Sequence, residues 1–244
     1  MRFFLLFGLL ITSALPLCHS TEFNGPLKVY IEGDQLYYDG ELTQQGLNTI
    51  LRVSTNAEEP LRWLVVRSGG GEIGVSMDIA NWILDRKLNI KVVDGCMSSC
   101  ANYLFAAGNK KVIEPGAVVA WHGSAIQKAF EFAQAIEKAL ADITDPDEKA
   151  RMRKISWEKT NSYMNAMKAK QASFFDRAGV DPMVTIIGQE PEYRVENFWA
   201  LSVKDMAHYG LNDVEAAANY PSTDLSRFRE MGRAVEFIKL NHTQ

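Results

Sequence analysis

The chain has 244 residues, 47% apolar and 23% charged, with 26 basic against 30 acidic side chains and a formal charge of -4. That is an ordinary globular composition, long enough for one sizeable domain and too short for three. It leaves no excess of Lys or Arg to neutralise a polyphosphate backbone, so no nucleic-acid partner is expected. Three cysteines and four histidines, scattered rather than set at finger spacing, argue against a structural zinc site, and no metal or other cofactor is expected.

Residues 1–20 read as a segment apart. Arg2 precedes an apolar run from Phe3 to Ile11, Pro16 follows, and Cys18-His19-Ser20 supplies a small-residue exit. This is the layout of a secretory signal peptide, too short to span a bilayer comfortably. It predicts a periplasmic or secreted protein. Cleavage after Ser20 leaves Cys96 and Cys100 as the cysteines of the mature chain, in a compartment where a disulfide is chemically allowed.

Residues 27–31 alternate at strand spacing, and Gly33-Asp34 turns the chain toward a second short strand at Leu36-Tyr37-Tyr38. Leu42, Leu47, Ile50 and Leu51 predict a helix over 42–54. The continuous apolar run Trp63-Leu64-Val65-Val66 is the pattern of a strand buried on both faces. It leads into Ser68-Gly69-Gly70-Gly71, after which helical spacing returns over 73–86. A second buried strand at 90–93 runs into Gly95-Cys96-Met97-Ser98-Ser99-Cys100, then a short apolar helix over 101–107 closed by Gly108. Residues 111–113 and 117–121 are further strand candidates around Pro115-Gly116.

The repeated order of strand, turn and helix predicts an α/β fold with parallel pairing and right-handed crossovers. Ligands bind such sheets at the carboxyl ends of the strands, where the glycine turn and the Cys96 to Cys100 turn should lie side by side. A single domain is expected over 21–244. Within it, residues 125–180 form an Ala, Lys and Glu-rich helical insertion broken at Asp145-Pro146. Gly179 ends the insertion, Asp181-Pro182 starts a short helix, and Phe198 to Leu201 reads as a strand. Leu225, Phe228, Met231, Val235 and Ile238 predict an amphipathic helix over 223–239.

Two turns and one histidine carry the candidate chemistry. A glycine-rich turn between strand and helix can hold an anion or an oxyanion on its amides, although Gly69-Gly70-Gly71 fits neither a phosphate loop nor a dinucleotide fingerprint. Ser99 occupies a sharp strand-to-helix turn from which a hydroxyl can be presented, with the Cys100 amide beside it; a helix cap is the other use of a serine there. Ser98 is the alternative nucleophile if the turn is shifted by one. His122 follows an apolar strand and can reach a neighbouring turn as a general base, whereas His208 and His242 read as solvated groups. Cys96 and Cys100 admit three readings: a disulfide clamping the serine turn, two buried thiols, or a catalytic thiol.

The segments Ser68-Gly69-Gly70-Gly71, Gly95 to Cys100, Ala106-Ala107-Gly108 and Trp121-His122-Gly123, in that order, resemble the proteolytic subunit of the Clp protease and its relatives in the crotonase-like superfamily. In that family a Ser-x-Gly-Gly turn supplies an oxyanion donor, the nucleophilic serine lies nine residues before the glycine of an Ala-Gly pair, and the histidine closes a later strand. The resemblance implies a spiral of strand-turn-helix units, with Ser99 as nucleophile, His122 as base, and the amides of Gly70 and Cys100 as the oxyanion pair. It resumes at Leu201-Ser202 and Tyr209-Gly210-Leu211-Asn212-Asp213. The family's orienting aspartate has no counterpart; Glu192 is the expected substitute, followed by Glu196 and Glu190.

The expectation is therefore an exported serine hydrolase, most simply a peptidase acting on a peptide or protein substrate. A non-catalytic binding or assembly module on the same fold is the alternative. A crotonase-type acyl-thioester enzyme ranks third, since coenzyme A esters are cytoplasmic. By resemblance a homo-oligomer is implied, and no ATPase partner is evident.

Overall fold

The computed structural model describes residues 25–127, 133, 136–221 and 225–241. The signal peptide expected over 1–20, His242 and the first residues of the helix expected over 223–239 lie outside them. The architecture is α/β, with a seven-stranded, mostly parallel sheet. β1 (Lys28–Glu32) and β2 (Gln35–Asp39) form its antiparallel hairpin. After α1 (Gln44–Thr55), β3 (Trp63–Ser68) pairs parallel to β2, and after α2 (Ile73–Arg86), β4 (Asn89–Met97) pairs parallel to β3.

Local chemistry marks the ends of these elements. Thr43 caps α1 by accepting the Gly46 amide, and Lys87 closes α2 in the left-handed region at φ 51°. β3 is buried along most of its length, as its unbroken apolar run requires of a strand covered on both faces.

β4 changes partners halfway along. Its first part, Ile90 to Val92, pairs with β5 (Lys111–Ile113), and its last part, Gly95 to Met97, pairs with β6 (Val118–Ala120). The switch falls where the register with β3 slips: Val66 faces Val92, yet Ser68 faces Cys96, so β4 carries two residues more than β3 over this interval. Asp94 sits in that bulge at φ 63°, a conformation that short acidic and amide side chains tolerate. Its carboxylate joins Arg67 (2.9 Å) and Arg227 (2.7 Å), which ties the bulge to the C-terminal segment. β8 (Val214–Ala216), not anticipated from the sequence, extends the sheet beyond β5.

One face of the sheet is covered by α2 and by a π-helix over Cys100–Phe105. α3 (Pro146–Ala178), the second stretch of the expected insertion, packs on α2 rather than standing away from the body. Asp145 caps it by accepting the amides of Asp147 and Glu148, and Gly179 ends it at φ 65°. Lys170 pairs with Asp78 and Arg177 with Asp85, both at 2.7 Å. Tyr103, Phe174 and Phe175 interlock beneath these pairs, and the Tyr103 hydroxyl donates to Gln171 Oε1 at 2.7 Å. Burial of the aromatic triplet, rather than the exposed ion pairs, holds the helix down.

The C-terminal segment departs from the helix expected over 223–239. Among its described residues α5 (Ser226–Glu230) alone is helical; Gly232 at φ 73° stops it, and β9 (Val235–Phe237) pairs parallel to β7 (Phe198–Ala200). The apolar residues that suggested one helix divide between the two elements. Phe228 and Val235 enter a second small core with Met97, Val118, Ala120 and Ala200. Between β7 and α5 lies α4 (Val203–His208), capped by Ser202. No helix among the described residues is long and apolar enough to cross a membrane.

Candidate active site

The pairing of β4 with β6 brings the two candidate turns together. Met97 stands opposite Ala120, and the Ser98 amide donates to the Ala120 carbonyl at 2.9 Å. Ser98 and His122 then leave the ends of adjacent strands side by side. Their side chains meet at 2.6 Å, Ser98 Oγ to His122 Nε2. When the imidazole carries its proton on Nδ1, Nε2 is the acceptor and Ser98 the donor.

Ser98 adopts φ 55°, a left-handed conformation that costs a non-glycine residue about 1–2 kcal/mol. It is half-buried, with its hydroxyl turned to the opening. Such a turn at the end of a strand is how a nucleophilic serine is presented. Ser99, the residue expected in that role, is only 3% exposed and donates its hydroxyl to the Gly71 carbonyl at 2.9 Å. It fastens the serine turn to the glycine turn and does not face His122. The one-residue difference has a physical source. Counting back nine positions from Gly108 presumes an ordinary helix, whereas the π-helix over Cys100–Phe105 takes up one more residue in the same rise. Ten positions then separate Gly108 from the serine that meets the histidine.

The glycine turn packs directly on this serine. A methyl group at Gly70 would lie 2.7 Å from Ser98 Cβ and 3.1 Å from its Oγ. The Gly70 amide, expected to face an oxyanion, donates instead to Ser68 Oγ at 3.2 Å. Gly71 is better placed. On one side of the chain Leu42 bonds to the Gly70 carbonyl and the Glu72 amide, both at 2.9 Å. The N–H and C=O of an extended residue point to the same edge, so both groups of Gly71 face the other side, where its carbonyl receives Ser99. The Ser99 and Cys100 amides start the helix, where N–H groups lack intrahelical acceptors.

Cys96 and Cys100 are joined in a disulfide, with Cα atoms 5.2 Å apart and both residues fully buried. The bridge runs behind Ser98, linking the last turn of β4 to the first residue of the π-helix. On the histidine side, Trp121 and Trp199 exchange backbone hydrogen bonds at 2.9 and 2.8 Å. The Gln189 amide group donates to the His122 carbonyl at 3.1 Å, and Asn102 donates to the Gly123 carbonyl at 2.8 Å. His122 is thus fixed before, at and after its own position.

His122 is exposed by its surface area, yet enough protein lies around the ring to desolvate it in part. Its ring lies 4.7 Å from that of Phe198. Burial lowers its pKa below the ordinary 6.5, and the Arg233 charge lowers it further. Among the described residues no carboxylate contacts it. Glu192 is exposed and accepts from Asn241 instead. Glu196 is exposed and Glu190 half-buried, and no hydrogen bond among the described residues joins either to His122. The residue that sequence reasoning missed is Arg233, whose Nη1 donates to the Gly69 carbonyl at 3.0 Å. Gly232-Arg233 after a short amphipathic run was the available signal.

No group of three or more candidate metal ligands converges among the described residues. What meets here is a serine hydroxyl and an imidazole whose pKa is lowered, beside the glycine turn and the start of the π-helix. A search of protein-family models and of curated proteins finds no match to this chain.

Proposed function

We propose that the protein is a serine hydrolase in which Ser98 is the nucleophile and His122 the general base. The observation that carries the reading is the 2.6 Å contact between Ser98 Oγ and His122 Nε2, made from a serine in the left-handed region. Ser98 Oγ bonds to an acyl carbonyl carbon while its proton passes to Nε2. The resulting oxyanion is held by the amides of Ser99 and Gly71. His122 then gives the proton to the departing amine or alcohol, leaving an acyl ester on Ser98. Water, deprotonated by the same nitrogen, attacks the ester; the acid leaves and the proton returns to Ser98.

The order of glycine turn, serine turn and strand-end histidine supports placing this fold with the Clp protease subunit and crotonase-like proteins, with Ser98 in place of Ser99. The disulfide supports an exported location. A peptide bond is the simplest substrate class. That no carboxylate among the described residues contacts His122 favours, as second reading, a binding module that has kept the scaffold.

Fluorophosphonate labelling of the mature protein, followed by intact mass, separates them. The hydrolase reading expects one adduct, lost in Ser98→Ala and reduced in His122→Ala. A folded protein that takes no adduct supports the binding module.

A further inference from the structure

We propose that Arg233 makes this a site for acyl substrates carrying a carboxylate close to the scissile bond. The inference rests on the hydrolase reading above and names its substrate class. Arg233 follows the Gly232 turn after α5, and its own amide is held by the Phe228 carbonyl at 2.7 Å. Its guanidinium carbon lies 5.7 Å from the centre of the Phe198 ring, the same ring that packs on His122. Its Nη1 rests on the Gly69 carbonyl, one residue from the glycine that touches Ser98. The half-buried guanidinium therefore borders the reacting serine and histidine from the glycine-turn side. Its planar fork is the side-chain shape that matches a carboxylate.

The electrostatics point the same way. When Ser98 gives up its proton, His122 becomes an imidazolium, and a nearby cation opposes that change. In the usual triad a carboxylate at the other ring nitrogen offsets the new charge; no such group contacts His122 among the described residues. Glu41 is an exposed residue whose charge also acts on Arg233, so a substrate carboxylate would add to an existing negative field there. A substrate carboxylate on Arg233 supplies the missing negative charge at the moment of binding. Arg233 thus both selects the anion and, through its neutralisation, makes proton transfer to His122 easier.

Two matched pairs of esters test this on the mature protein. The 4-nitrophenyl monoester of adipic acid against 4-nitrophenyl hexanoate places the charge on the acyl side. The hexanoyl ester of 4-hydroxybenzoate against that of 4-hydroxybenzamide places it on the leaving side. The acid member of one pair is expected to have about tenfold higher kcat/KM, the scale of one charged hydrogen bond. In Arg233→Gln that ratio falls to about one, while Arg233→Lys keeps part of it. Ratios equal in wild type and Arg233→Gln, both proteins taking the fluorophosphonate adduct, overturn the proposal. If the wild type neither labels nor turns over, the hydrolase reading has failed, and binding decides the rest. Adipate is then titrated into Ser98→Ala while the His122 ring signals are followed by NMR. A shift that disappears when Arg233→Gln is added retains Arg233 as a carboxylate site, and no shift removes it.

Discussion

Replacing Gly70 by alanine tests whether the glycine turn and the serine turn form one site. Gly70 has φ 100°, which costs an alanine about 1–2 kcal/mol. Its new methyl group would sit 2.7 Å from Ser98 Cβ and 3.0 Å from the Met97 carbonyl. The first distance is short of ordinary contact by about 0.7 Å. The Met97 carbonyl belongs to a paired strand, so Ser98 is the group that must move, which disturbs its 2.6 Å contact with His122. Displacement on that scale lowers the rate of a positioned reaction by about 100-fold. Gly116→Ala is the control. That residue has φ 82° and nothing within 4 Å of an added methyl group, so it carries the backbone penalty without the clash. Fluorophosphonate labelling rates for both variants, with thermal melts alongside, give the comparison. Both proteins should melt earlier than wild type, and only Gly70→Ala should label slowly. A Gly70→Ala protein that labels at the wild-type rate would refute the placement of the glycine turn against the nucleophile.

Further outcomes follow from the same geometry. Ser99→Ala should keep its adduct, because Ser99 only anchors Gly71, and should lose about 1–2 kcal/mol in urea unfolding from the buried hydrogen bond; loss of the adduct with full stability would return the nucleophile to Ser99. The base form of His122 is the neutral one, so kcat/KM should rise with pH through a value below 6.5. Removing the Arg233 charge relieves part of that depression, so Arg233→Gln should move the acid limb to higher pH, and an unmoved limb would show that burial alone sets it. Replacing Cys96 and Cys100 together by alanine should cost about 2 kcal/mol, the chain-entropy value for so short a loop; unchanged unfolding would show that the two sulfurs are not joined in the native protein.

Much of the sheet could be read from the chain because burial and periodicity agree there. Trp63 to Val66 is an apolar run and Ile90 to Val93 is mostly apolar, both flanked by turn residues, and the helix over Ile73–Arg86 has its spacing in the sequence. The adjacency of the glycine and cysteine turns followed from parallel pairing alone. Which of two adjacent serines faces the histidine did not, because a π-helix and an α-helix share the same apolar pattern and differ only in backbone hydrogen bonding. The C-terminal segment misled for a related reason. Phe228, Met231 and Val235 satisfy a helical period, yet Gly232 breaks the chain and Val235 serves a strand. A carboxylate partner for His122 could not be located from residue type, since Glu190, Glu192 and Glu196 lie within seven positions of one another and spacing does not tell which, if any, faces the histidine.

The bulge in β4 limits how this protein can be edited. Side chains along a strand alternate, so Met97, enclosed in the second core, and Ser98, at the opening, hold opposite phases. Deleting one residue from 93–95 would exchange them, pushing a hydroxyl into an apolar pocket and a thioether into the mouth of the site. Changes of two residues preserve the phase. Libraries of insertions and deletions across this stretch should therefore return survivors in even steps, while the turn between β5 and β6, two strands that each pair with β4 and not with each other, should accept both parities.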